Sequence, residues 1–183
     1  PPPPPPPPRG TRVLSITFAR RVDLAAGQAF NTELRRAFST VRTEWVDADG
    51  AAVSYARLLG AADSADVVIV SPYVGHAWDA TTVSSPAAFA DFVRALVRRG
   101  RRPIVVAMGN PYFLQQVPEV PAYLVAWGGF PLSQQAAARA LLGTVAITGR
   151  LPIAIPPVMP LGAGETRAAM TAAGDASGRV PRE

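Results

Sequence analysis

No cysteine and no lysine occur among the 183 residues, and histidine occurs once, as His76. Without cysteine there is no disulfide, no thiolate nucleophile and no zinc–thiolate centre. With a single histidine there is no histidine pair to hold a metal, and any serine hydrolase triad would have to use His76. Without lysine there is no Gly-Lys-Ser/Thr phosphate loop. Long apolar runs are missing too, none approaching the roughly 20 residues that cross a bilayer. The chain opens on Pro1 with no charged and apolar leader. These absences leave the compartment open, with a slight lean towards an extracytoplasmic one.

What remains describes a globular domain, with 49% hydrophobic and 17% charged residues. At 183 residues the chain is the size of one domain and can bury a proper core. The net charge of +5 comes from arginine alone, because all 18 basic residues are Arg. Arginine without lysine, beside abundant alanine, is what GC-rich coding produces, so the high pI does not imply a selected basic surface. The one local cluster, Arg98, Arg99, Arg101 and Arg102, falls where a helix ends and where cations meet the negative end of the helix dipole. It lacks the interleaved aromatics of a nucleic-acid surface, and no nucleic-acid partner is expected.

The chain divides into three parts. Residues 1–10 open with eight prolines, an extended linker or artefact spanning about 25 Å at roughly 3.1 Å per residue. Residues 11–161 alternate strand and helix patterns, and residues 162–183 read as a flexible tail with a helical tendency near 167–173. Expected strands lie at 13–18, 41–46, 67–70, 103–108 and 122–127, with a closing strand at 151–155 between prolines that suit a sheet edge. Residues 67–70 and 104–108 are apolar without alternation, as strands covered on both faces are. Asp23 is placed to cap a first helix with Phe30, Leu34, Ala37 and Phe38 at helical spacing. A second helix carries Tyr55, Leu58, Leu59 and Ala62. A third opens at Ser85-Pro86, buries Phe89, Phe92, Val93 and Leu96 and stops at Gly100. A last one spans 133–142. Strands separated by single helices give a three-layer α/β sandwich, a flavodoxin-like, doubly wound, mostly parallel sheet of about six strands. Ligands and partners meet such sheets at the carboxyl edge, here loops 19–23, 47–50, 71–84, 109–112 and 128–132.

The fold invites a nucleotide, but the residues after the first strand are Phe18-Ala19-Arg20-Arg21-Val22-Asp23, with no Gly-x-Gly-x-x-Gly. No cofactor and no metal are therefore expected. Ser15, Ser71 and Ser133 also lack the glycines of a nucleophile elbow.

One set of motifs is more specific. Gly109-Asn110-Pro111-Tyr112 is followed by Val120-Pro121-Ala122-Tyr123-Leu124-Val125-Ala126-Trp127-Gly128-Gly129, then a helix over 136–142, then Gly149-Arg150-Leu151-Pro152. Over residues 12–164 this combination resembles the C-terminal domain of glycoside hydrolase family 3, in the branch of the bacterial β-N-acetylglucosaminidases (β-N-acetylhexosaminidases). The resemblance implies a partner, an N-terminal catalytic (β/α) barrel in cis or in trans, and a β-linked amino-sugar substrate at a shared cleft. It also implies a retaining hydrolysis whose Asp nucleophile sits on the barrel. In the β-glucosidase branch the C-terminal domain supplies a Glu acid/base from a loop after a central strand. The matching segment here, residues 71–84, has no Glu, whereas a retaining pair needs carboxyls about 5–5.5 Å apart. That departure fits the N-acetylglucosaminidase branch, in which a His-Asp pair on a barrel loop does this work. No catalytic residue is therefore assigned to this chain.

The loop 71–84 holds 14 residues, against the usual two to six for such connections. Its His76, Trp78 and Asp79 are candidates for a substrate rim, with Trp78 stacking on a sugar and His76 or Asp79 bonding hydroxyls. The plainer alternative is a surface loop packed on a neighbouring domain. Tyr73, Tyr112, Trp127 and Phe130 are the candidates for interdomain contact. A free-standing carbohydrate-binding or interaction module is the other reading of the whole chain.

Overall fold

The computed structural model describes residues 10–48, 55–74 and 87–170. Within them five strands form one parallel sheet: β1 (Arg12–Ala19), β2 (Thr40–Asp47), β3 (Val67–Pro72), β4 (Ile104–Ala107) and β5 (Ala122–Val125). Their order is β2-β1-β3-β4-β5, the flavodoxin-like doubly wound arrangement. Helices α1 (Gln28–Ala37), α2 (Tyr55–Asp63), α3 (Ala87–Arg98) and α4 (Pro131–Leu141) cover it.

Side-chain alternation along the strands assigns the two layers. Leu14, Ile16 and Phe18 of β1 join Val68 and Val70 of β3 in a core with Leu58 of α2 and Phe89, Phe92, Val93 and Leu96 of α3. Val13 and Ile69 face the other way, into a core with Phe30 and Leu34 of α1 and Ala137 and Ala138 of α4. Strands covered by helices on both faces favour apolar residues at successive positions, and residues 67–70 of β3 and 104–107 of β4 accordingly read as unbroken runs. Both lie in the interior of the sheet, as expected. Phe89 stacks on Phe18 with ring centroids 4.0 Å apart and on Phe113 at 5.6 Å, tying α3 to the sheet.

Helix ends follow local chemistry. After α3, the Gly100 amide bonds to the Val97 carbonyl and the Arg101 amide to the Leu96 carbonyl, with Gly100 at φ 74°. This is a Schellman closure that glycine accommodates without strain. The arginine cluster sits at this helix end, with Arg99 paired to Asp63 at 2.8 Å and Arg101 bonded to the Ala65 carbonyl.

Several expectations need correction. The sheet has five strands among the described residues, not six. Residues 151–155 do not close it: Leu151 bonds to Ala163 and Ile155 to Met159, folding the segment on itself. Pro152, Pro156 and Pro157 remove the amides that a sheet ladder would use. Asp23 does not cap α1, because a tight turn (Ala26 amide to Asp23 carbonyl, 2.9 Å) intervenes and Gly27 is the N-cap. The last helix begins at Pro131, whose missing amide is harmless in a first turn, not at Ser133. Residues 162–170 contain no helix. Arg167 instead pairs with Ile147, and the Met170 amide bonds to the Gly143 carbonyl at 2.7 Å. Ser85 and Pro86, proposed to open the third helix, lie outside the described residues.

Candidate functional site

Among the described residues, two loops stand out at the carboxyl edge, one leaving β1 and one leaving β5. The first is drawn tight by the Asp23 amide on the Arg20 carbonyl (2.9 Å) and by Arg21 paired with Asp47 at 3.1 Å. The turn thrusts Val22 and Leu24 outward, 71% and 74% exposed. The second leaves the sheet with the Ala126 amide on the Ala107 carbonyl and turns at once, the Gly128 amide bonding back to the Ala126 carbonyl at 2.8 Å. Trp127, at the centre of this three-residue turn, is the single non-glycine residue at positive φ (58°) among the described residues. Phe130 and Leu132 follow, both 79% exposed.

Gln134, fully buried in the first turns of α4, holds the two loops together. Its Nε2 donates to the Ala25 carbonyl at 2.9 Å and the Gly129 carbonyl at 2.7 Å, while its Oε1 accepts from the Phe30 amide at 3.2 Å. Sequence reasoning missed Gln134, since a lone Gln in an amphipathic helix carries no local signal. Glycine is required at position 27, at φ 76°, and position 129 leaves little room for a larger residue. A Cβ on Gly129 would meet the Tyr73 ring at 3.0 Å, and one on Gly27 would meet Thr17 Oγ1 at 2.4 Å.

The candidate interdomain residues separate accordingly. Trp127 and Phe130 stand on the exposed rim, and Tyr112 is 38% exposed in the 3₁₀ turn Pro111–Gln116 that follows β4. Asn110 fixes that turn, its Oδ1 accepting from the Tyr112 amide at 2.9 Å. Tyr73, the residue after β3, is instead buried in the α1/α4 core, where a Cβ on Gly129 would meet its ring at 3.0 Å, so this domain does not expose it for interdomain contact. Burial pushes its phenol above the usual value, and neither its hydroxyl nor Ser71 Oγ finds a well-formed hydrogen bond among the described residues. His76, Trp78 and Asp79 lie outside the described residues.

Three glutamates, on α1, on β2 and after the 3₁₀ turn, are engaged by arginine. Glu33 meets Arg36 at 2.7 Å and Arg139 at 3.5 Å, Glu44 meets Arg42 and Arg57, and Glu119 meets Arg94. Bonding by Arg57, outweighing a smaller desolvation cost, holds the Glu44 carboxyl down to about 2. No cluster of three or more His, Asp or Glu able to hold a metal occurs among the described residues. A shallow groove of about 290 Å³ runs between α1 and α4, lined by Gln28, Thr32, Glu33 and Gln135 and by no aromatic ring. No described helix is long and apolar enough to cross a membrane.

Among its described residues, this doubly wound α/β domain gathers exposed apolar side chains at its carboxyl edge. Residues 15–176 match the family described as the glycosyl hydrolase family 3 C-terminal domain, and the chain belongs to that family. Among solved structures it is similar to a fungal multi-domain family 3 β-N-acetylglucosaminidase, at 22% identity and a TM-score of 0.64 over 86% of this chain. It is also similar to a family 3 β-N-acetylglucosaminidase from Paenibacillus sp., at 19% identity and 0.61 over 76%, and to a β-glucoside phosphorylase, at 19% and 0.54 over 73%. The chain spans 17%, 26% and 24% of those three proteins respectively. No curated protein matches it at the level of sequence.

Proposed function

We propose that this chain is the accessory domain of a retaining family 3 glycosidase that removes terminal β-linked N-acetylhexosamine, a reaction of carbohydrate metabolism. The chemistry belongs to an N-terminal (β/α) barrel. This domain walls one side of the cleft and supports the barrel, docking through its carboxyl edge. The observation that carries the reading is the distribution of exposed apolar residues. Of the ten large ones among the described residues, six (Val22, Leu24, Tyr112, Trp127, Phe130 and Leu132) stand on the loops or at the helix starts of that one edge. Large apolar side chains gathered on one exposed edge point to an interface, and covering each such side chain stabilises the complex by roughly 1.5–3 kcal/mol. Family membership and the amino-sugar enzymes among its structural relatives support the barrel and the substrate class. His76, Trp78 and Asp79 are retained as rim candidates on the loop that begins at the same edge.

The test is binding in trans. The 183-residue chain is mixed with the barrel domain of a family 3 β-N-acetylglucosaminidase, and complex formation is followed by light scattering. A one-to-one complex that is weakened in the Phe130→Ser, Leu132→Ser double variant supports the reading. A monomer that ignores the barrel overturns it in favour of a free-standing carbohydrate-binding or interaction module.

A further inference from the structure

We propose that Trp127 is the anchor of this docking surface, a side chain held on strained backbone so that its indole enters a pocket on the catalytic barrel. The proposal rests on the docking reading above and adds to it the residue that dominates the contact.

The geometry is unusual in three respects. First, at φ 58° the Trp127 backbone occupies the left-handed region, which costs an L-residue with a bulky side chain and which glycine would occupy freely. Glycine is at hand in the next two positions, Gly128 and Gly129, yet the turn is centred on tryptophan. Its closing bond, Gly128 amide to Ala126 carbonyl at 2.8 Å, makes it a γ-turn with a positive-φ centre, the rare and strained kind. Secondly, the strain brings the free domain little core packing, because Trp127 stays 49% exposed. Thirdly, the surroundings do not let the turn relax. Upstream, Ala126 is bonded to β4; downstream, the Gly129 carbonyl is held by Gln134, and a Cβ on Gly129 would stand only 3.0 Å from the Tyr73 ring. A strained conformation persists when neighbouring structure over-determines it, and its benefit then lies in what the side chain does. A rigid aromatic that projects from a fixed loop loses little conformational entropy on binding, and tryptophan is enriched among the residues that dominate interfaces. Phe130 is more exposed but sits on ordinary extended backbone at φ −66°. It belongs to the surrounding contact, not to its centre.

The inference separates stability from binding. The 183-residue chain is compared with its Trp127→Gly, Trp127→Asn, Trp127→Phe and Phe130→Ser variants, by thermal unfolding and by titration with the barrel domain of a family 3 β-N-acetylglucosaminidase. Glycine and asparagine both tolerate positive φ, so these variants should unfold no earlier than the wild type while binding the barrel at least about tenfold more weakly. Trp127→Phe, which restores an aromatic, should recover most of the affinity, and Phe130→Ser should lose less than Trp127→Gly. Earlier unfolding of both the glycine and asparagine variants would make Trp127 a structural residue and overturn the proposal. So would undiminished binding, or a loss as large in Phe130→Ser. A wild type that does not bind the barrel removes the docking reading itself, a result distinct from all of these.

Discussion

The Gln134 side-chain amide donates to the Gly129 carbonyl at 2.7 Å. Through this bond a helix residue sets the path of the loop that precedes its own helix. The same nitrogen reaches the Ala25 carbonyl, so the loops after β1 and β5 share one buried support. Those loops carry Val22, Leu24, Trp127 and Phe130, and the shape of the exposed edge therefore depends on a residue that is not itself exposed.

Removing that support should be costly. Gln134→Leu keeps the volume but deprives the buried Phe30 amide and the half-buried Gly129 carbonyl of their bonds, and leaves the Ala25 carbonyl with only the longer bond from the Gln28 amide at 3.3 Å. A loss of about 2–4 kcal/mol is expected in urea denaturation, with partial solvation of the loops keeping it below the full sum. A change under about 0.5 kcal/mol would mean that the loops hold their course without the glutamine.

Gly27→Ala should destabilise by about 1–3 kcal/mol, because φ is 76° and the new Cβ would stand 2.4 Å from Thr17 Oγ1. Gly100→Ala meets no atom within 4 Å and carries the positive-φ cost alone, so its midpoint in the same denaturation should shift less.

Phe89→Ala should be among the most damaging core changes, at about 3–5 kcal/mol. Phe89 is fully buried and stacks on Phe18 and Phe113, and so links α3, the sheet and the 3₁₀ turn. Calorimetry would show a lowered and broadened transition; an unchanged one would contradict the packing.

Acid should weaken the domain through Glu44. Its carboxyl is held down to about 2 in the fold, chiefly by its bond to Arg57, against 4.5 when free. The unfolded chain therefore takes up the proton first as pH falls. The stabilisation is complete above pH 4.5 and disappears as pH drops towards 2. Glu44→Gln should lower stability at pH 7 and flatten the profile across that window, measured as unfolding midpoints from pH 7 to pH 2. A parallel profile in the variant would assign the acid sensitivity elsewhere.

If the proposed division of labour holds, the 183-residue chain should not hydrolyse a chromogenic β-N-acetylglucosaminide by itself. Turnover by pure protein, abolished by Asp79→Ala, would place the chemistry in this domain and defeat the accessory reading.

What local pattern could reveal, the sequence revealed. Unbroken apolar runs at residues 67–70 and 104–108 marked interior strands, because a strand covered on both faces has no solvent side to signal. Helical spacing of Phe89, Phe92, Val93 and Leu96 marked the buried face of α3, and Gly100 marked its end. The Gly-Arg-Leu-Pro motif and the segment through Trp127 pointed to the family that the match over residues 15–176 shows. The same motif misled about the sheet: its prolines were read as an edge strand, whereas they denied the segment the amides a strand needs. Burial of Tyr73, the three bonds of Gln134 and the positive φ of Trp127 were decided only by the assembled fold. Each depends on atoms far apart in sequence: Ala25 against Gln134, Tyr73 against Gly129, Ala107 against Ala126. Periodicity reports which face of an element is buried, but what lies against that face is fixed by contacts between elements, and these leave no mark in any one segment.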